Sequence, residues 1–152
     1  MLHYAQDLES LESELNNMYP PESDKDVRAM ENLIKKQKLE FPKILKELKE
    51  KGKKVGHWAW WVWPTSKPGD YEPSPKTYIK PNLIGALLGR TNVELWTNIF
   101  IQINIIGGIK NMPIIDQGRI GYFIKEFLEA DEFTKTYYSD FFSQVEFLLN
   151  LK

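Results

Sequence analysis

The chain has 152 residues, 42% of them hydrophobic, and a formal net charge of −1. That length and apolar content allow one domain with a real core, while the near-neutral charge argues against nucleic-acid binding by the whole surface. Cysteine is absent, which excludes disulfides, thiolate metal sites and a cysteine nucleophile, and fits a reducing, cytoplasmic setting.

The opening MLHYAQDLESLESELNN has no basic region and no long apolar run, so no secretory leader is predicted. Nor does any stretch reach the ~20 apolar residues of a membrane span. Tyr4, Leu8, Leu11, Leu15 and Met18 recur at spacings of three and four, which predicts an amphipathic helix over 3–17. Pro20–Pro21 then interrupts the chain. The expected organisation is a single all-α domain over 1–152: a helix within 1–18, a Pro-Pro linker and a main body from 24.

In that body, Ser23 or Asp24 caps a helix running to about Lys38, with Val27, Met30 and Leu33/Ile34 inward. Pro42 suits the first turn of a further helix, carrying Ile44, Leu45 and Leu48 and ending near Gly52. Nine of the 20 basic residues fall between Lys35 and Lys54, a pattern that most often marks a solvated helix face. The run 64–77, PTSKPGDYEPSPKT, excludes regular structure and reads as a long ordered loop or lid. Asn82 is positioned to cap a short helix, Leu83 to Leu88. Thr91 and Glu94 have the spacing of a capping box at the head of VELWTNIFIQINII. That segment is apolar on most sides and predicts a central buried helix, with a strand after residue 98 as the alternative. Asp116 and Asp131 are then placed to cap two more helices, before a last one bearing Phe141, Phe142, Val145, Leu148 and Leu149. Six or seven helices in a compact bundle is the expectation.

Functional interest centres on KKVGHWAWWVWP, residues 53–64, where four of the five tryptophans stand beside a histidine and two lysines. As a helix this stretch puts Trp58, Trp61 and Val62 on one face and His57, Trp60 and Lys53 or Lys54 on another. The first face reads as core. The second, with Trp63, reads as the wall of a cavity.

The stretch FPKILKELKEKGKKVGHWAWWVWP, residues 41–64, resembles a mostly bacterial family of small uncharacterised proteins, sometimes labelled calpastatin-like. The family pattern is Y-x-x-x-L-x-E-L-x-x-G-(K/R)-(K/R)-x-H-W-M-W-(F/Y)-(I/V)-F-P-Q. Leu45, Glu47, Leu48, Gly52, Lys53, Lys54, His57, Trp58, Trp60 and Pro64 match it in order, with one extra residue before Gly52 and one before His57, and Trp61, Val62 and Trp63 keep its aromatic, aliphatic, aromatic order. Thr65 stands for its glutamine, Ala59 for its methionine, and the proline-rich loop replaces its Gly-Leu-Gly stretch. The resemblance implies an all-α fold and brings no reaction with it. In size, helical class and a Trp/Lys-lined site the chain is also similar to ADP-ribose-directed N-glycosidases, which implies an ADP-ribose-like ligand.

The candidate site follows from these residue types. Indoles of Trp60 and Trp63 stack a planar base, and Lys54 and Arg119 hold phosphate. His57 exchanges a hydrogen bond, and Tyr71 reaches in from the loop. Arg119, Tyr122 and Glu126 share one side of their helix, so Glu126 or Asp116 supplies the carboxylate that glycosidic hydrolysis requires. The competing assignment makes Asp116 an N-cap and Glu126 a surface charge. With only two histidines and no cysteine, no metal or cofactor is implied. The expected partner is a nucleotide-like small molecule; the alternative is a protein-interaction module using the aromatics and the proline-rich loop.

Overall fold

The computed structural model describes residues 24–150, so the helix expected over 3–17 and the Pro-Pro linker lie outside the described residues. Among the described residues the chain is all-α, with seven α-helices, two short 3-10 turns and no strand. No helix there is long and apolar enough to cross a membrane.

Helix α1 runs unbroken over Asp24–Lys51 and contains Pro42. The two helices expected there are therefore one. An interior proline removes a hydrogen bond and typically costs ~3 kcal/mol, but Pro42 sits on the exposed side, where water can serve the freed carbonyl. On the opposite side Leu33, Gln37, Phe41, Ile44 and Leu48 are buried at spacings of three and four, so packing carries the helix through. Acidic Asp24 and Asp26 open it and Lys49 and Lys51 close it, in accord with the helix dipole. Gly52, at φ +65°, turns the chain, its N–H donating to the Leu48 carbonyl at 3.0 Å.

The tryptophan run forms a single short helix, α2, Ala59–Val62. An irregular stretch follows, yet it is folded onto the body: Ile79 N–H donates to Thr65 O at 2.9 Å and Ser66 N–H to Glu126 Oε1 at 2.8 Å. A 3-10 turn over Pro81–Leu83 leads into α3, Ile84–Arg90, without the cap expected from Asn82.

Helix α4, Val93–Ile105, is the central helix that the apolar pattern predicts. Its cap differs from expectation: Asn92 accepts from Leu95 N–H at 2.9 Å, and Thr91 instead donates to Gln37 Oε1 at 2.6 Å. The capping box is absent because the helix starts one residue later than its spacing requires, with Asn92 as the N-cap. Gly107 takes φ +119° to end the helix, and α5 follows over Ile114–Leu128, then α6, Glu132–Tyr137, and α7, Ser139–Asn150. Asp131 caps α6 as its position predicts, accepting from Thr134 N–H at 2.8 Å. On α7, Phe141, Phe142, Val145 and Leu148 are buried as expected.

α4 is packed between α1 and α7, and α5 closes against α7. Trp96 stands at the centre, with Phe141 at 4.9 Å, Phe41 at 5.5 Å and Phe127 at 5.9 Å between ring centroids. Its indole N–H donates to Val62 O at 3.0 Å. This contact, with Gln37 Nε2 donating to Trp61 O at 2.9 Å, anchors α2 to the core by its backbone. The outer edge of α2 is left to form a wall.

Candidate functional site

The turn between α1 and α2 is organised by one carboxylate. Glu47, on the last turns of α1, accepts from Val55 N–H at 3.0 Å, Gly56 N–H at 3.0 Å and the Trp58 indole at 2.7 Å. Partial burial alone would push the Glu47 carboxyl up, but the hydrogen bonds from Trp58, Val55 and Gly56, with the charge of Lys54, hold it below its ordinary value. Gly56 is needed for this closeness, since a Cβ there would stand 2.9 Å from both Glu47 Oε1 and Trp58 Cδ1. Glu47, Lys54, Gly56 and Trp58 thus belong to one hydrogen-bonded corner.

That corner forms one side of a cleft of about 820 Å³. Three segments distant in sequence line it: the turn and α2, the loop around Gly69–Pro73, and the start of α5 with Pro113 before it. Six of the expected residues meet there, namely Lys54, His57, Trp60, Tyr71, Asp116 and Arg119.

Asp116 is not an N-cap. Helix α5 begins after Pro113, and the Asp116 side chain lies in its first turn, where Oδ2 stands 3.1 Å from Lys54 Nζ. Both side chains are largely buried, at 7% and 14% exposed. The contact is an ion pair without a well-directed hydrogen bond at that oxygen. Lys54 also donates to Gly56 O at 2.8 Å and lies over the Trp58 ring at 5.0 Å.

Arg119 is the least satisfied group in the cleft. Its Nε and Nη2 are buried with no hydrogen-bond partner, a situation that native proteins seldom leave without a reason. Burial pushes its guanidinium below the ordinary arginine value, and the charges of Glu72, Asp116 and Glu126 oppose that shift. At arginine's high ordinary pKa the group stays cationic.

Trp60 forms a wall of the cleft beside Arg119. Its indole N–H donates to Asp70 O at 3.2 Å, and the Gly69 backbone presses on the ring so closely that a Cβ would lie 2.2 Å from Trp60 Cδ1. Tyr71, 95% exposed, holds a left-handed backbone at φ +63° on the rim, a conformation uncommon for a bulky residue.

Three expected residues lie elsewhere. Trp63 is fully buried in the core, 5.4 Å from Trp58 between centroids, because the chain folds back as soon as α2 ends. It is no wall of the cleft. Tyr122 sits on the outer side of α5, 43% exposed and away from the cleft lining. Glu126 faces the loop and holds Ser66 N–H, so it is neither a free surface charge nor a cleft residue. Trp58 and Trp61 are buried in the core, as their helical face predicts.

The residues that sequence reasoning passed over are Glu47, as an organiser, and Glu72. Glu72 is buried in the loop and accepts from both the backbone N–H and the hydroxyl of Thr77. The signal available was an acid directly before a proline with a threonine five residues on. Among the described residues no three His, Asp or Glu side chains gather into a metal-ligating group. No family model, no curated protein and no solved structure matches this chain.

Proposed function

We propose that the cleft binds a planar, anionic, nucleotide-like small molecule. The observation that carries this reading is the convergence of an indole wall and an unsatisfied guanidinium on one concavity. A base stacks on Trp60 and under Tyr71, and its anionic group meets Arg119, with His57 on the rim as a further hydrogen-bonding group. Hydrolysis, in this reading, falls to Asp116 rather than Glu126, since Asp116 alone of the two lines the cleft. Its carboxylate would face the positive charge that develops at an anomeric carbon.

Thermal shift and calorimetry with AMP, ADP-ribose, NAD and cyclic dinucleotides test the proposal. Stabilisation by at least one of them, lost in Trp60→Ala, is the expected result. Silence across the whole set removes the reading.

A second reading has its own observation. Val55, Tyr71 and Ile115 line the same cleft and are largely exposed, Ile115 at 88%, and such an apolar rim also suits a protein partner. Ile115→Glu separates the two: it blocks a partner seated on the rim and leaves a small ligand at Trp60 in place.

A further inference from the structure

The two cations that line the cleft are not equally available. Lys54 is engaged three times over, by Asp116 at 3.1 Å, by Gly56 O at 2.8 Å and by the Trp58 ring. Arg119 has two donors, Nε and Nη2, that meet no acceptor. These are the side-on pair of the guanidinium, whose parallel N–H bonds fit two oxygens of one carboxylate or phosphate. We infer that the cleft accepts a ligand with a single oxyanionic group beside a planar body, and that it discriminates against a second phosphate. The inference rests on the proposed small-molecule reading and narrows it.

Two features of the site support the discrimination. The first is charge: Asp116 and Asp70 line the cleft, and Glu72 and Glu126 act on Arg119 from behind it. A second phosphate has no spare cation to meet and is placed among carboxylates, where like charges repel. The second is the cost of the empty state. Arg119 holds its fork in a buried position without partners, so turning that fork toward a bound oxyanion trades two unmet donors for two hydrogen bonds. One anion completes that exchange. A second gains nothing from it.

Calorimetry with adenosine, AMP, ADP, ADP-ribose and indole-3-acetate tests this. AMP is expected to bind about tenfold more tightly than adenosine and than ADP or ADP-ribose, the scale of one charge contact made or opposed. Arg119→Gln brings AMP down to adenosine. Asp116→Asn releases Lys54 and closes the gap between AMP and ADP, an effect that a merely structural Asp116 would not produce. Circular dichroism checks that each variant folds, and the ranking on the unaltered protein decides by itself if one does not. ADP or ADP-ribose binding as tightly as AMP, or adenosine equalling AMP, overturns the inference while leaving a nucleotide cleft. Binding of indole-3-acetate without AMP keeps the single-anion inference and overturns the nucleotide. No binding by any of the five overturns both.

Discussion

Trp96 and Trp60 are the same residue type used in opposite ways. Around Trp96 stand five phenylalanine rings, the indole is fully enclosed, and its N–H is satisfied by Val62 O. Around Trp60 the ring is only partly buried, its N–H makes a longer bond to Asp70 O, and the adjoining arginine has donors to spare. Trp96 meets its polar requirement within the chain, although the core indoles of Trp61 and Trp63 do not. At Arg119 two unmet donors lie beside an aromatic face that lines a cleft, and a ligand bound there would supply their acceptors. If the proposed cleft binds its ligand, stability and recognition are divided between two tryptophans joined through α2.

That division can be broken most severely at its closed end. Trp96→Ala removes the ring that Phe41, Phe100, Phe123, Phe127 and Phe141 all touch. A loss of about 3–5 kcal/mol in denaturant unfolding is expected, the range for large aromatic truncations in a core. An unaltered midpoint would mean that the aromatic cluster is not the centre of stability.

Glu47→Ala tests the joint between the two regions. It deprives two backbone donors and the Trp58 indole of their acceptor, which should cost about 2 kcal/mol, the scale of hydrogen bonds to a charged group. The pH dependence gives a sharper signature. Because the folded protein holds Glu47 below the 4.5 of an ordinary glutamate, its contribution is present above that value and is lost as pH falls through the lower folded value. Acid unfolding curves of the variant should therefore flatten below pH 4.5 relative to the parent.

Tyr78→Phe probes a tie remote from both regions. The Tyr78 hydroxyl donates to Asp26 Oδ1 at 2.6 Å, and burial, with Asp26 beside it, pushes the phenol up to about 12 from an ordinary 10.0. The sign is the reverse of Glu47: the contribution is full below pH 10.0 and is lost as pH rises to about 12. The variant should lose about 1 kcal/mol at neutral pH, one hydrogen bond's worth, and should unfold less steeply in alkali.

Trp60→Ala is expected to cost clearly less than Trp96→Ala, about 1–2 kcal/mol, since its ring is only partly buried against the core. It should nevertheless abolish the proposed nucleotide binding, read by calorimetry. A large stability loss there would collapse the contrast with Trp96.

The helices were legible wherever a buried stripe repeats at three and four residues, as in α4, α5 and α7. Pro42 misled because local propensity marks it as a boundary, whereas Phe41, Ile44 and Leu48 pack against partners that only the tertiary fold supplies. Thr91 and Asp116 were misread as caps from spacing alone: α4 starts one residue later than Thr91 requires, and α5 begins after Pro113, which leaves Asp116 in its first turn beside Lys54. In the site, helical facing separated Trp58 and Trp61 from Trp60 correctly. It failed for Trp63, which lies past the end of α2, where the periodicity no longer applies. Glu72 was invisible because its burial depends on the loop closing over Arg119, and no local pattern encodes that.

Gly69 has a practical consequence for anyone scanning this cleft by substitution. It offers a ligand nothing but backbone, yet even a methyl group there would collide with Trp60 and crowd Arg119 Nη1 at 3.0 Å. An alanine scan would therefore score a position without a side chain among the most sensitive, and the lesion would report the misplaced indole and guanidinium rather than any lost contact of its own.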